Sequence, residues 1–178
     1  MFNFKYRMIS TILLFLIVQL PVKGQDSLSQ HLEVLRPFIN KTWKAKVAET
    51  EDKSSVYDIS KWERILNGNG VRILHSVNDG AYGGETIVMW DKNNENLFFY
   101  YFTTAGFYTK GDVTFEEGKM ISHEIVSGND EVSEVKSIAE IIEDGKMKVT
   151  TQFLKNGEWT EGRDAIYAET PEAEVIFK

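Results

Sequence analysis

Residues 106–126 read GFYTKGDVTFEEGKMISHEIV, and this stretch contains the pattern that decides the fold. Before the Glu117-Gly118 pair, positions 107, 109, 111, 113 and 115 form one face, which is apolar or small, and Lys110 and Asp112 lie on the opposite face. After the pair, Ile121 and Ile125 again recur with a period of two. This alternation is typical of β-strands with one buried face, and a Glu-Gly pair between two such segments marks a tight turn. The stretch therefore predicts an antiparallel hairpin.

Short alternating segments separated by turn residues recur along the chain from residue 42 onward. Asp79-Gly80, Asp144-Gly145 and Asn156-Gly157 are turn signals of this kind, and such signals recur about every ten residues, as in all-β domains. Closing a long meander on itself removes its exposed edges. We therefore expect an all-β fold, a single antiparallel up-and-down β-barrel of about ten strands. The predicted strands are residues 42–49, 56–66, 71–77, 85–90, 97–103, 107–115, 120–126, 132–142, 146–154 and 159–168.

Alternation also predicts which side chains point into the barrel. His75 shares its face with Ile73 and Val77, and His123 lies between two isoleucines, so both imidazoles are predicted to face inward. The run from Leu97 to Phe102 (residues 97–102, LFFYYF) is apolar on both faces. Its outer face is either covered, by an N-terminal helix or by a second subunit, or is an exposed adhesive surface, and we expect it to be covered.

The N-terminal region has the layout of a secretory signal peptide. Lys5 and Arg7 precede an apolar run over residues 8–20, and a turn-forming segment ends at Gly24. We expect a signal peptide at residues 1–24, cleaved near Gly24, a barrel domain at residues 25–178, and a periplasmic or secreted location. The run is too short to favour a membrane anchor.

The overall composition excludes several kinds of partner and site. Of the 178 residues, 27 are acidic and 20 are Lys or Arg, for a net charge of -7, which argues against binding to nucleic acid or to an anionic membrane surface. There is no Cys, so the chain has no disulfide, thiolate metal site or cysteine nucleophile. No P-loop, dinucleotide fingerprint or serine nucleophile motif is present.

A short amphipathic helix is predicted over residues 26–39, and several motifs after it occur in the order of one family. They are Asn40-Lys41-Thr42-Trp43, Glu63-Arg64-Ile65-Leu66-Asn67-Gly68, Gly84-Glu85, Trp90-Asp91, Gly106 and Lys155-Asn156-Gly157-Glu158-Trp159. In order and spacing the chain resembles exported bacterial calycin-like domains of unknown function, over about Leu32 to Tyr167. The resemblance implies a lipocalin-like or fatty-acid-binding-protein-like barrel whose base is closed by the helix, with Trp43 packed against it. Haem-binding barrels of this type use a His near the C terminus, and none follows His123, so no cofactor is expected.

The candidate ligand contacts are inward-facing polar and aromatic side chains. The two histidines either contact a ligand or are core residues bonded to neighbouring hydroxyls, and His31 has no partner at metal-ligand spacing, so no metal is expected. Arg163 either holds a ligand carboxylate or pairs with a surface acid. The predicted site residues are His75, Tyr101, Phe107, Thr109, His123, Thr151 and Arg163.

These observations leave three functional hypotheses. The first is a binding protein that holds a small apolar or amphipathic molecule in the barrel. The second is a filled structural barrel that forms a homodimer or a protein interface through the strand from Leu97 to Phe102. The third is an enzyme that uses an interior His as acid or base, a hypothesis that no motif supports.

Overall fold

The computed structural model describes residues 27–178, and the regular secondary structure of this part of the chain is almost all β-strand. The predicted signal peptide and its cleavage site near Gly24 lie outside the described residues. A short 3₁₀ helix, Gln30–Leu35, comes first, and single 3₁₀ turns occur at Leu66–Gly68 and Glu143–Gly145. The strands are β1 (Lys41–Glu49), β2 (Ser55–Ile65), β3 (Gly70–Val77), β4 (Tyr82–Asp91), β5 (Asn96–Thr103), β6 (Tyr108–Glu116), β7 (Lys119–Ser127), β8 (Val132–Ile141), β9 (Met147–Lys155), β10 (Glu158–Trp159) and β11 (Arg163–Glu169).

Ten of the strands close into one antiparallel barrel. Each strand from β1 to β9 pairs with the next, β9 also pairs with β11, and β11 pairs with β1 to complete the ring. The two-residue strand β10 pairs only with the end of β9, so the last wall of the barrel is interrupted at residues 160–162. The predicted up-and-down barrel of about ten strands is confirmed.

The tight turns have the backbone geometry that short hairpins require. At the turn between β6 and β7, Glu117 and Gly118 have φ angles of 50° and 80°. Two consecutive positive φ angles are the signature of a type I′ turn, whose twist matches that of the two flanking strands. The Glu-Gly pair in the sequence therefore marks this hairpin correctly.

The chain before β1 closes one end of the barrel, which we call the base. Leu32 and Leu35 of the 3₁₀ helix are fully buried there, together with Phe38 and Trp43. The Trp43 indole Nε1 donates a hydrogen bond to the Phe38 carbonyl at 3.1 Å, which fixes the ring under the barrel. The predicted helix over residues 26–39 is shorter than expected and is 3₁₀ rather than α, and Pro37 lies in the turn that follows it.

The outer face of β5 remains uncovered in the described part of the chain. Tyr100 and Phe102 are exposed, and their rings stack with centroids 6.0 Å apart. Phe98 contacts Tyr100, and Tyr108 of β6 contacts Phe102, so four rings form a continuous row. Cover by the N-terminal helix was one of the two predicted arrangements, and it is wrong because that helix packs at the base.

Candidate functional site

The barrel contains a cavity of about 550 Å³ above the filled base. Its lower wall is apolar and includes Trp62, Ile73 and Phe99. Phe153 and Arg163 belong to the opposite end of the barrel, which we call the mouth. Ligand pockets in proteins commonly have volumes of about 300–1,000 Å³, so the barrel is not simply filled by its own side chains.

A group of bonded polar side chains lines the middle of the cavity. The Tyr167 hydroxyl donates a hydrogen bond to Asp58 Oδ2 at 2.9 Å, and His75 Nε2 lies 3.0 Å from Asp58 Oδ1. On the other side of the imidazole, Nδ1 is hydrogen-bonded to the Tyr101 hydroxyl at 3.1 Å, which is in turn bonded to the Tyr82 hydroxyl at 3.0 Å. We refer to these five residues, Asp58, His75, Tyr82, Tyr101 and Tyr167, as the polar cluster.

The three tyrosines of the polar cluster stay protonated. Burial is the main cause that raises the pKa of each hydroxyl above its ordinary value, and the nearby Asp58 carboxyl raises all three further. For Tyr101 and Tyr167 the rise is large. Each hydroxyl therefore keeps a proton that it donates either to a neighbour in the cluster or to a molecule in the cavity.

A second carboxyl, that of Glu124 on β7, also lines the cavity. Thr109 on the neighbouring strand β6 donates a hydrogen bond to Glu124 Oε2 at 2.6 Å. Burial raises the pKa of Glu124, and neither the Thr109 hydrogen bond nor the positive potential from His123 offsets this effect. Burial therefore favours the neutral form of this carboxyl more than in an exposed glutamate.

Asp58 and Trp62, both on the inner face of β2, carry buried polar atoms that lack a protein partner. Within residues 27–178, neither Asp58 Oδ1 nor Trp62 Nε1 has a hydrogen-bond partner. The His75 Nε2 atom is close to Asp58 Oδ1, but the contact lacks the alignment of a hydrogen bond. Nearly all buried polar atoms in native proteins are hydrogen-bonded. Polar atoms without a partner in a cavity wall, which we call unmet, therefore mark places where a bound molecule can supply one.

The structure places six of the seven predicted site residues around the cavity. His75 and Tyr101 belong to the polar cluster, and the others lie on the walls from the middle of the barrel to its mouth. Arg163 has no ion pair within the described residues, so the predicted alternative of a surface acid partner is not found. The residues brought together are His75, Tyr101, Phe107, Thr109, Thr151 and Arg163.

The predicted inward orientation of His123 is wrong. Its side chain is 48% exposed on the outside of the barrel, where Nε2 lies 2.6 Å from Glu134 Oε2 and the ring contacts Trp159. The strand β7 has its isoleucines on the outer face, and it turns Ser122 and Glu124 toward the barrel interior. Alternation separated the two faces, but each carries two apolar residues, Ile121 and Ile125 on the outer face and Met120 and Val126 on the inner face, so hydrophobicity alone does not show which face is inside.

The cavity residues that were not predicted from the sequence include Asp58, Tyr82, Glu124 and Tyr167. A signal for Asp58 exists, because it precedes Ser60 and Trp62 at a spacing of two, and this face also contains Val56. For Tyr167 no local pattern would suffice, since its partner Asp58 is 109 residues away in the sequence.

The polar cluster is chemically suited to hydrogen bonding and to proton transfer. An imidazole held between a carboxylate and a phenol can accept or donate a proton, which is the geometry that the enzyme hypothesis requires at His75. Residues 27–178 contain no group of three or more His, Cys, Asp or Glu side chains arranged to hold a metal ion. None of the helices in the same residues is long and apolar enough to cross a bilayer.

The chain matches no protein-family model and none of the curated proteins compared with it. Its function must therefore be inferred from the geometry of the cavity.

Proposed function

We propose that this protein is an exported barrel of the calycin type that binds a small amphipathic molecule in its cavity. Export is supported by the basic, apolar and turn-forming segments of residues 1–24, and the family by the order of motifs from Asn40 to Trp159. The closed ten-strand barrel is compatible with both. After removal of the signal peptide we expect a periplasmic or secreted protein with no nucleic-acid or membrane partner.

The observation that carries the proposal is the cavity of about 550 Å³, which combines apolar walls with a polar cluster. Apolar surface supplies most of the affinity of such pockets, and a few fixed polar groups orient the ligand. Trp62 and Phe99 provide apolar wall, and the tyrosine hydroxyls provide donors. An amphipathic molecule satisfies both kinds of surface.

A pair of Ser→Trp variants on β8 tests this proposal with the neutral dye N-phenyl-1-naphthylamine. Ser137 lines the cavity and contacts Thr151, so Ser137→Trp places an indole ring in the space for ligand. Ser133 is exposed near the start of the same strand and provides the control, Ser133→Trp. We expect dye binding by the wild type and by the control, and at least tenfold weaker binding by Ser137→Trp. Equal dye binding by all three proteins would contradict the proposal. Native mass spectrometry of protein purified from its own cells would then give the mass of the natural ligand.

A homodimer through β5 is a second candidate, supported by the exposed row of four aromatic rings. Phe102 lies between Tyr100 and Tyr108 in this row and is 54% exposed. Ile166 of β11, on the other side of the barrel, is exposed to the same extent. If the row forms an interface, Phe102→Ser should dissociate the dimer in sedimentation experiments, and Ile166→Ser should not. A monomer at micromolar concentration for the wild type would remove this candidate.

A further inference from the structure

Asp58 presents an unmet hydrogen-bond acceptor to the cavity. Its side chain is only 9% exposed, and Oδ2 already accepts a hydrogen bond from Tyr167. The other oxygen, Oδ1, lies 3.0 Å from His75 Nε2 but has no hydrogen-bond partner within residues 27–178, and Asp58 lies on the cavity wall. Leaving a buried carboxylate oxygen without a donor is costly. A ligand that places an N–H or O–H group at this oxygen removes that cost.

Within residues 27–178, two carboxyls line the cavity, those of Asp58 and Glu124. The carboxyls of Asp58 and Glu124 both act on the hydroxyls of Tyr82 and Tyr101, where they add to the effect of burial in raising the pKa. The four groups therefore share one electrostatic environment. Among the described residues, the basic side chains that line the cavity are His75, within the polar cluster, and Arg163, at the mouth, whose charge also acts on the Tyr167 hydroxyl.

Aromatic rings surround the same region. The Tyr82 ring stacks with that of Phe107, with centroids 6.3 Å apart, and His75 meets the edges or faces of Tyr82 and Tyr101 at about 6 Å. The faces of tyrosine and phenylalanine rings attract cations, most strongly where water is excluded. The Asp58 carboxylate together with aromatic faces makes surroundings that favour an ammonium group.

We propose that the ligand is an organic amine, whose protonated N–H donates to Asp58 Oδ1 and whose alkyl or aryl body fills the apolar lower cavity. This inference rests on the proposed function, because it specifies the polar end of the molecule that the cavity binds. The ammonium is primary, secondary or tertiary, since a quaternary ammonium has no N–H to donate. A carboxylate ligand is disfavoured, because its charge would meet the Asp58 carboxylate inside the cavity, and Arg163 lies at the mouth.

Three probes with the same ten-carbon chain test the choice of head group: decylamine, decanol and decanoate. Isothermal titration calorimetry at neutral pH compares their dissociation constants for the wild-type protein. We expect decylamine to bind at least tenfold more tightly than decanol, because a hydrogen bond to a charged group contributes more than a neutral one, and decanoate to bind most weakly.

The outcomes separate this inference from the proposed function. Equal affinity for decylamine and decanol, or tighter binding of decanoate, overturns the amine proposal but leaves the cavity as a ligand site. If none of the three probes binds, both proposals fail. Decylamine binding that survives Ser137→Trp unchanged also overturns the inference, because the amine then binds outside the barrel.

Asp58→Asn is the direct variant, and Asp130→Asn is its control. Asparagine keeps an oxygen that accepts the Tyr167 hydrogen bond, and Asp130 is an exposed loop residue whose substitution removes the same charge. We expect Asp58→Asn to bring decylamine affinity down to that of decanol, and Asp130→Asn to leave both affinities unchanged. A tenfold preference for decylamine that persists in Asp58→Asn would overturn the assignment of the amine to Asp58. If Asp58→Asn does not fold, the head-group ranking of the wild type still decides the proposal.

Discussion

The base of the barrel and the polar cluster above it differ in how completely their polar atoms are hydrogen-bonded. At the base, Leu32, Leu35, Phe38 and Trp43 are almost fully buried, and the one polar atom of Trp43 has its hydrogen bond. In the cluster, Asp58 is buried with one oxygen unmet beside open space. A fully buried apolar region contributes stability, whereas a buried polar group beside open space is suited to bind a ligand.

The largest effect is expected at the base, from Trp43→Ala. Removing this fully buried ring leaves a cavity that the 3₁₀ helix and the strands can only partly fill, and substitutions of this kind cost about 3–5 kcal/mol of unfolding free energy. Urea denaturation measures the loss. Trp159→Ala is the matched control, because this ring is partly exposed and its removal should cost less than about 1 kcal/mol. A loss below about 1 kcal/mol for Trp43→Ala would show that the base is not the stabilising region.

A smaller loss is expected within the polar cluster, from Tyr167→Phe. The substitution removes the hydroxyl that donates to Asp58 Oδ2 and leaves that buried oxygen unmet as well, at a cost of about 1–3 kcal/mol. Tyr57→Phe provides the control, since Tyr57 is exposed and its loss of a hydroxyl should change stability by less than about 0.5 kcal/mol. Equal urea midpoints for the two variants would mean that the cluster contributes nothing to stability.

Glu124 should make the unfolding free energy depend on pH. The base residues Leu32, Leu35, Phe38 and Trp43 have no titratable side chain and should not. Because burial raises the pKa of Glu124, the folded chain holds a proton that the unfolded chain releases. This contribution to stability is complete below the ordinary pKa of a glutamate and is lost as the pH rises through the folded-state value. Glu124→Gln does not titrate, so we expect its unfolding free energy to improve relative to the wild type as the pH rises.

Urea denaturation of both proteins between pH 4 and pH 8 measures this difference. Glu131→Gln, at an exposed position, is the control and should follow the wild-type curve at every pH. A constant difference between Glu124→Gln and the wild type over the whole range would contradict a raised pKa for Glu124.

The same contrast explains what the sequence could predict. Period-two alternation located the strands and assigned the inner faces of β3, β6 and β9 correctly, because those faces are mostly apolar and the rule for a buried face applies. It misassigned β7, where the inner residues Ser122 and Glu124 are polar. Where polar side chains line the cavity, the rule that the apolar face of a strand points inward no longer applies. The pairing of Tyr167 with Asp58 depends on closure of the ring through β1, which local patterns do not contain.

The smallest effect is expected outside the barrel, from His123→Gln. The imidazole is half-exposed and pairs with Glu134, and exposed pairs of this kind contribute about 0–1 kcal/mol. We therefore expect a change in unfolding free energy within about 0.5 kcal/mol and unchanged binding of N-phenyl-1-naphthylamine. His75→Gln is the comparison, because it removes the imidazole that joins Asp58 to Tyr101, and it should weaken both stability and dye binding. If His123→Gln weakens dye binding as much as His75→Gln does, the outward placement of His123 is wrong, because a side chain on the outer surface does not contact a dye in the cavity.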